Sequence, residues 1–163
     1  MESVLSRFDG YPGQRKVAEY MLKRGIGVRD SRAVCGEVEL GDAPMGRACG
    51  VDRRVVRSTI ERIESDPWLK IVFAGLEPVA LLSGIAPHIG CTSLVIIPTD
   101  PTKPGILSEV AAIIYGAGVS ITQAVVDGTG ESARLKIVMD GQLSDGCLMR
   151  IRNCDGVGGV VIN

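Results

Sequence analysis

Hydrophobic positions recur along this chain with two different periods, and the change from one to the other divides it. Up to about residue 66, apolar residues fall at helical spacing among many charges; from Thr92 onward they form short Val/Ile runs broken by glycine. Pro12 opens a predicted helix over PGQRKVAEYMLKR, with Val17, Tyr20 and Met21 on its apolar side. Leu22 lies off that stripe and Gly25 is the expected stop. Residues 33–40 (AVCGEVEL) fit a brief strand or a turn. Asp42 is expected to cap a short helix over 43–49, and Gly50-Val51 to turn the chain. Asp52 then caps a longer helix, RRVVRSTIERIE, that ends near Ser65-Asp66-Pro67.

Past Cys91 the elements alternate. TSLVIIP (92–98) reads as a strand, and Lys103-Pro104-Gly105 starts a helix in which Ile106, Leu107, Val110, Ile113, Ile114 and Ala117 recur at helical spacing. A strand follows over 119–127, then a hairpin signal at Gly128-Thr129-Gly130, and a strand over 133–140. A helix over 143–153 and a strand in GVGGVVIN close the chain. The order β-α-β-β-α-β predicts an antiparallel sheet with two helices on one face, the ferredoxin-like arrangement. The expected class is α+β. An all-α domain over 1–66 leads through a helical connector over 67–91 into a βαββαβ domain over 92–163, with the boundary between Ser65 and Cys91.

Charge supports this division. Before Pro67 there are 12 basic and 11 acidic residues, and from there on 6 and 8. A net charge of −1 over 163 residues excludes a generally basic nucleic-acid coat but leaves room for a local patch. Six aromatics are too few for base-stacking recognition of single strands. One His excludes a multi-His metal site. Five Cys, never spaced C-x-x-C, point away from a disulfide scaffold and toward a reducing cytoplasm. The first residues lack the pattern of a signal peptide. No residue from Pro78 to Thr99 is charged, yet Pro78, Gly84, Pro87, Gly90 and Pro98 break the run. Buried core, not a membrane span, is expected there.

The stretch from Met45 to Ile60 has the makeup of a helix-turn-helix. Gly46 sits where the helices must cross closely, Gly50 turns the chain, Val51 fills the gap, and Val56, Ile60 and Ile63 form the inward stripe. Such motifs usually carry Ala at the Gly46 position. Opposite the stripe lie Arg54, Arg57, Ser58 and Glu61, flanked by Arg53 and Arg62. From Arg47 to Arg62 the net charge is +3, against −1 for the chain. Guanidinium groups bind phosphates and guanine edges, so Arg53, Arg54, Arg57, Ser58 and Arg62 are the candidate contacts to duplex DNA.

A second candidate site lies in Asp100-Pro101-Thr102-Lys103-Pro104-Gly105-Ile106-Leu107. Pro104 presets the helix entry and Gly105 permits close backbone approach, which leaves the first helical N–H groups free for a small carboxylate. The next strand, entered through Ser120 and Ile121, is expected close to that loop. Candidate ligand contacts are Thr102, Lys103, Pro104, Gly105, Ile106, Leu107, Ser120 and Ile121. Residues 92–163 resemble the ACT domain, a regulatory amino-acid-binding fold. The likeness lies in element order, the Pro104-Gly105-Ile106-Leu107 helix start, the Ala117-Gly118-Val119-Ser120-Ile121 strand entry and the closing Gly156-Val157 strand. Thr102 and Ser120 replace the Asp or Asn and the Asn of many family members, so the backbone contacts are what carries over. The resemblance implies a free amino acid as effector and a homodimer, or a higher homo-oligomer, formed through the sheets. With Val51 to Thr59 ahead of it, the whole chain is similar to archaeal predicted regulators of amino-acid metabolism.

His88 and Cys91 form an H-x-x-C pair with no further ligand at suitable spacing, so no metal site is expected. No P-loop or other cofactor motif is present, and catalysis is not expected. The leading expectation is a cytoplasmic, dimeric, amino-acid-responsive transcriptional regulator without a cofactor or a membrane partner. Two alternatives stand beside it: a feedback subunit docked on a biosynthetic enzyme, and an ACT dimer that no longer binds ligand.

Overall fold

Most of the helices read from the sequence recur, with ends shifted by a residue or two, in the computed structural model, which describes residues 1–128 and 132–163. The hairpin signal at Gly128-Thr129-Gly130 extends outside the described residues. Two compact units divide the chain, Met1–Ala80 and Leu81–Asn163. The division falls inside the predicted connector, of which only Pro67–Ala74 is α-helix.

The first unit contains α1 (Glu2–Leu5), α2 (Pro12–Arg24), three short strands, β1 (Gly27–Arg29), β2 (Arg32–Cys35) and β3 (Val38–Leu40), then α3 (Asp42–Cys49), α4 (Arg53–Ser65) and α5 (Pro67–Ala74). The domain expected to be all-α thus carries a small antiparallel meander ordered β1-β2-β3; β2 and β3 fall in the stretch 33–40 that fitted a strand or a turn, and β1 lies ahead of it where no strand was expected. Asp52 caps α4 as expected, its Oδ1 accepting the Arg54 N–H at 2.8 Å. Asp42 does not cap α3. It is the first helical residue, and Gly41 takes the cap position without a side-chain bond.

Val56, Ile60 and Ile63 are fully buried, together with Phe8, Val17 and Met21. At roughly 1.5–3 kcal/mol each, these side chains dominate the unit's stability. Leu69 and Phe73 of α5 join the same core, and Leu22 packs at its margin. Asp66 ends α4 and caps α5, accepting the N–H groups of Trp68 (2.9 Å) and Leu69 (3.2 Å).

The helix-turn-helix crossing depends on Gly46. A methyl group at that Cα would sit 2.8 Å from the Val51 carbonyl oxygen and 3.2 Å from the Arg53 nitrogen. Both are backbone atoms and cannot swing aside. Alanine gains ~1 kcal/mol in helix propensity over glycine, but overpacking costs about 1–3 kcal/mol, so crowding wins. We expect Gly46→Ala to lower the melting temperature of the first unit by several degrees, read through the fluorescence of Trp68, the single tryptophan. A raised melting temperature would show that propensity outweighs the close approach.

The second unit holds β4 (Thr92–Pro98), α6 (Ile106–Gly116), β5 (Ser120–Asp127), β6 (Arg134–Asp140), α7 (Asp145–Arg152) and β7 (Val157–Ile162). Its strands are ordered β5-β6-β4-β7, with every neighbouring pair antiparallel. This is the expected βαββαβ ferredoxin-like sheet. Leu94, Ile96, Leu135, Ile137 and Met139 face α6 and α7, whose Val110, Ile114 and Ile151 complete the core. Val125, Lys136, Val95 and Val161 form one row in register across the other face. Part of that face carries residues 82–89, held where the Gln123 Oε1 accepts the Leu82 N–H at 2.9 Å. A register shift between Ile121 and Gln123 is what turns Gln123 to that side.

Candidate nucleic-acid interface and effector pocket

Because α4 buries Val56, Ile60 and Ile63, its helical period points Arg53, Arg54 and Arg57 outward. These three line one open recess of about 460 Å³ with Gly41, Asp42, Ala43 and Pro44 from the start of α3. Three guanidinium groups against one carboxylate make it electropositive. Arg57 is half exposed; its Nε donates to Glu61 Oε1 at 3.3 Å and its Nη1 to the Ser31 carbonyl at 3.2 Å. The structure places the other two candidates elsewhere. Ser58 turns toward α2, its hydroxyl donating to the Val55 carbonyl (3.0 Å) and accepting from Gln14 Nε2 (3.1 Å). Arg62 stacks 3.9 Å over the Tyr11 ring.

Sequence reasoning missed two parts of this surface. One is the wall from Gly41 to Pro44, read only as a helix start. The other is the β1–β2 turn, whose Ser31 carbonyl holds Arg57. Asp30 and Ser31 both take left-handed conformations, at φ 49° and 59°. An Asn-Gly or Asp-Gly pair would have announced such a turn, and neither is present.

The loop between β4 and α6 is braced at both ends. Asp100 Oδ1 accepts the Thr102 N–H at 2.8 Å and the Thr102 hydroxyl at 2.7 Å, which holds the Asp100 carboxyl below its usual range. Lys103 Nζ meets Asp155 Oδ1 at 2.6 Å and depresses the Asp155 carboxyl likewise. Gly105, at φ 98°, is the residue before α6, and no side chain caps the helix. Its leading N–H groups border a pocket of about 170 Å³, where Pro101, Lys103 and Leu107 face Val126, Ala133 and Arg134. Lys103, Gly105, Ile106 and Leu107 are among its lining residues. Thr102 and Pro104 lie in the same loop outside the lining.

Ser120 and Ile121 do not reach this pocket, contrary to expectation. They pair with Asp140 and Met139, at the end of the sheet where Thr92 begins β4. The reason is topological: a crossover helix returns the chain to the starting end, so β4 and β5 run parallel and begin together. Val126 and Arg134 stand instead beside the exit of β4, in register with Leu135 and Asp127. The parallel-strand rule could have found them from sequence.

Among the described residues no cluster of three His, Cys, Asp or Glu side chains could hold a metal. All five cysteines are free thiols, and burial pushes those of Cys49 and Cys154 up. Among the described residues no helix is long and apolar enough to cross a membrane.

No family model and no curated protein matches the chain. Among solved structures, an AsnC family transcriptional regulator from Agrobacterium tumefaciens is similar at 16% identity and a TM-score of 0.29, over 93% of this chain and 86% of that one. The leucine response regulatory protein of Mycobacterium tuberculosis is similar at 17% identity and a TM-score of 0.25, over 93% and 90%. E. coli AsnC is similar at 11% and 0.23, over 93% and 89%. At that identity and that TM-score the likeness places this chain in no family.

Asp100 in the loop and Asp155, which meets its Lys103 from between α7 and β7, give a test of the bracing. Asp100 and Asp155 titrate below their ordinary values, so their stabilisation is complete above the usual carboxylate range and is lost as pH falls through the lowered values. Carboxyl-carbon NMR titration should give midpoints below that of an ordinary aspartate for both. Ordinary midpoints would mean that the loop is not braced in solution.

Proposed function

We propose that this chain is an amino-acid-responsive transcriptional regulator whose first unit binds duplex DNA through α4. The observation that carries the reading is the convergence of Arg53, Arg54 and Arg57 in one recess with the start of α3. An exposed helix with three arginines at its leading end has the width and charge to enter a major groove. In this reading these arginines meet phosphates or guanine edges. Ser58 and Arg62 hold α4 against α2 and Tyr11.

The second unit acts as an ACT-like sensor. The uncapped N–H groups at Ile106 and Leu107 donate to the α-carboxylate of a free amino acid, with Lys103 and Arg134 nearby and Val126 against its side chain. Two copies pair through the sheet face that carries Val125, Val95 and Val161. Val161 is 46% exposed there, at the end of the row opposite the Lys136–Asp127 ion pair, and a second sheet would cover it. The effector then acts by binding one dimer geometry more tightly than another, and only to that extent. This assigns no catalytic group and no cofactor.

One observation favours a docking role for the first unit instead. Trp68 and Ile71 on α5 are 39% and 73% exposed, an apolar pair that suits a protein partner. Salt dependence separates the two readings, because phosphate contacts release counterions and apolar docking does not.

In a gel-shift titration on the DNA upstream of the protein's own gene, Arg53→Ala, Arg54→Ala and Arg57→Ala should each weaken binding. Each should also reduce the slope of log K against log salt by about 1. Unchanged affinity in all three would overturn the DNA reading. A thermal-shift panel of the amino acids should stabilise the second unit with one or two of them, and Leu107→Glu, at the pocket mouth, should abolish the shift. A flat panel would favour the silent ACT dimer.

A further inference from the structure

At the end of the sheet opposite the β4–α6 loop, the second unit leaves a cavity of about 460 Å³. Its walls are Leu94, Leu143, Leu148 and Ile162, and its lip is Cys91, Thr92, Gln142 and Asn163. Leu94 and Ile162 are partners across β4 and β7 and so share the helix-facing side of the sheet. Leu94 is fully buried, yet Ile162 is 42% exposed. The core beneath α7 is therefore open at this end. No lining side chain is charged. The pocket at the start of α6 is the opposite case, smaller and flanked by Lys103 and Arg134.

We propose that this cavity is a second binding site, for a small neutral molecule with an apolar body and one amide-like edge. The volume lies within the roughly 300–1,000 Å³ of small-molecule sites, which pair mostly apolar walls with a few polar groups. The apolar body completes the open core against Leu143, Leu148 and Ile162. Gln142 and Asn163 each offer a donor and an acceptor, which a neutral amide edge can satisfy in both directions. An anionic ligand would lose its hydration without meeting a cationic side chain, and so binds poorly. The Cys91 thiol at the lip reports occupancy. This site stands independently of the regulator reading, since it uses none of the residues assigned to DNA or to the amino acid.

The test uses the full chain, methyl-labelled at Ile, Leu and Val, with two probes of one shape: indole-3-acetamide and indole-3-acetate. The amide should shift the methyl signals of Leu143, Leu148 and Ile162 saturably. It should also slow alkylation of Cys91 by N-ethylmaleimide, followed by peptide mass mapping, and leave Cys35 in the first unit unaffected. The acetate should bind at least about tenfold more weakly, the cost of burying one unpaired charge. Gln142→Trp, a substitution at an exposed loop position that fills the lip, should remove both effects. Absence of saturable shifts, equal binding of the two probes, or protection of Cys91 that survives Gln142→Trp would each overturn the proposal. The comparison of probes on the unsubstituted chain decides it even if the variant folds poorly.

Discussion

The approach of α3 to the backbone at the start of α4 is the contact on which the arginine-bearing surface depends. With no side chain at Gly46, the Val51 carbonyl and the Arg53 nitrogen come within a distance that a methyl group would forbid. That approach sets the path from Gly50 to Asp52, and Asp52 then fixes the first turn of α4 by accepting the Arg54 N–H. Arg53, Arg54 and Arg57 point where they do because Val56, Ile60 and Ile63 must point the other way. Once α3 lies close, its own first residues become the second wall of the recess. One missing methyl group thus shapes a surface several residues away.

In the second unit the equivalent constraint is strand direction. The crossover through α6 makes β4 and β5 parallel, and with β6 between them all neighbouring pairs are antiparallel. One end of the sheet therefore collects the start of α6 and the hairpin residues Val126 and Arg134. The other collects the starts of β4 and β5 and the ends of β6 and β7. Two concavities of opposite character result, one flanked by cationic side chains and one with no charged side chain in its lining. Their separation follows from topology, so a ligand at one end need not compete with a ligand at the other.

Periodicity made most of the elements legible. The apolar stripe of α4, the run from Ile106 to Ile114, and the Val/Ile strands each need only their own neighbours to be recognised, because burial on one face imposes the spacing. Caps were harder. Asp52 declared itself, whereas Asp42 fell one place inside the helix it was expected to cap. The meander over 27–40 was the least legible part. Its strands are three or four residues long, and its first turn uses Asp30 and Ser31 in a conformation that neither residue prefers. Of the β4–α6 loop, the helix start was readable from Pro104 and Gly105. Its partners from the far strand pair were not found by proximity in sequence.

By itself, the sequence determined the kinds of element, their order, the inward stripe of each helix and the electropositive stretch from Arg53 to Arg62. These are local consequences of side-chain size, charge and spacing. Tertiary structure alone decided which arginines share a recess with the start of α3, and that Ser58 turns to Gln14 and Arg62 to Tyr11. It also decided the shift that sends Gln123 to Leu82. Each of these brings together residues of separate elements, most of them tens of positions apart, and the geometry of such pairs is set by backbone direction and close packing, which no spacing along the chain encodes.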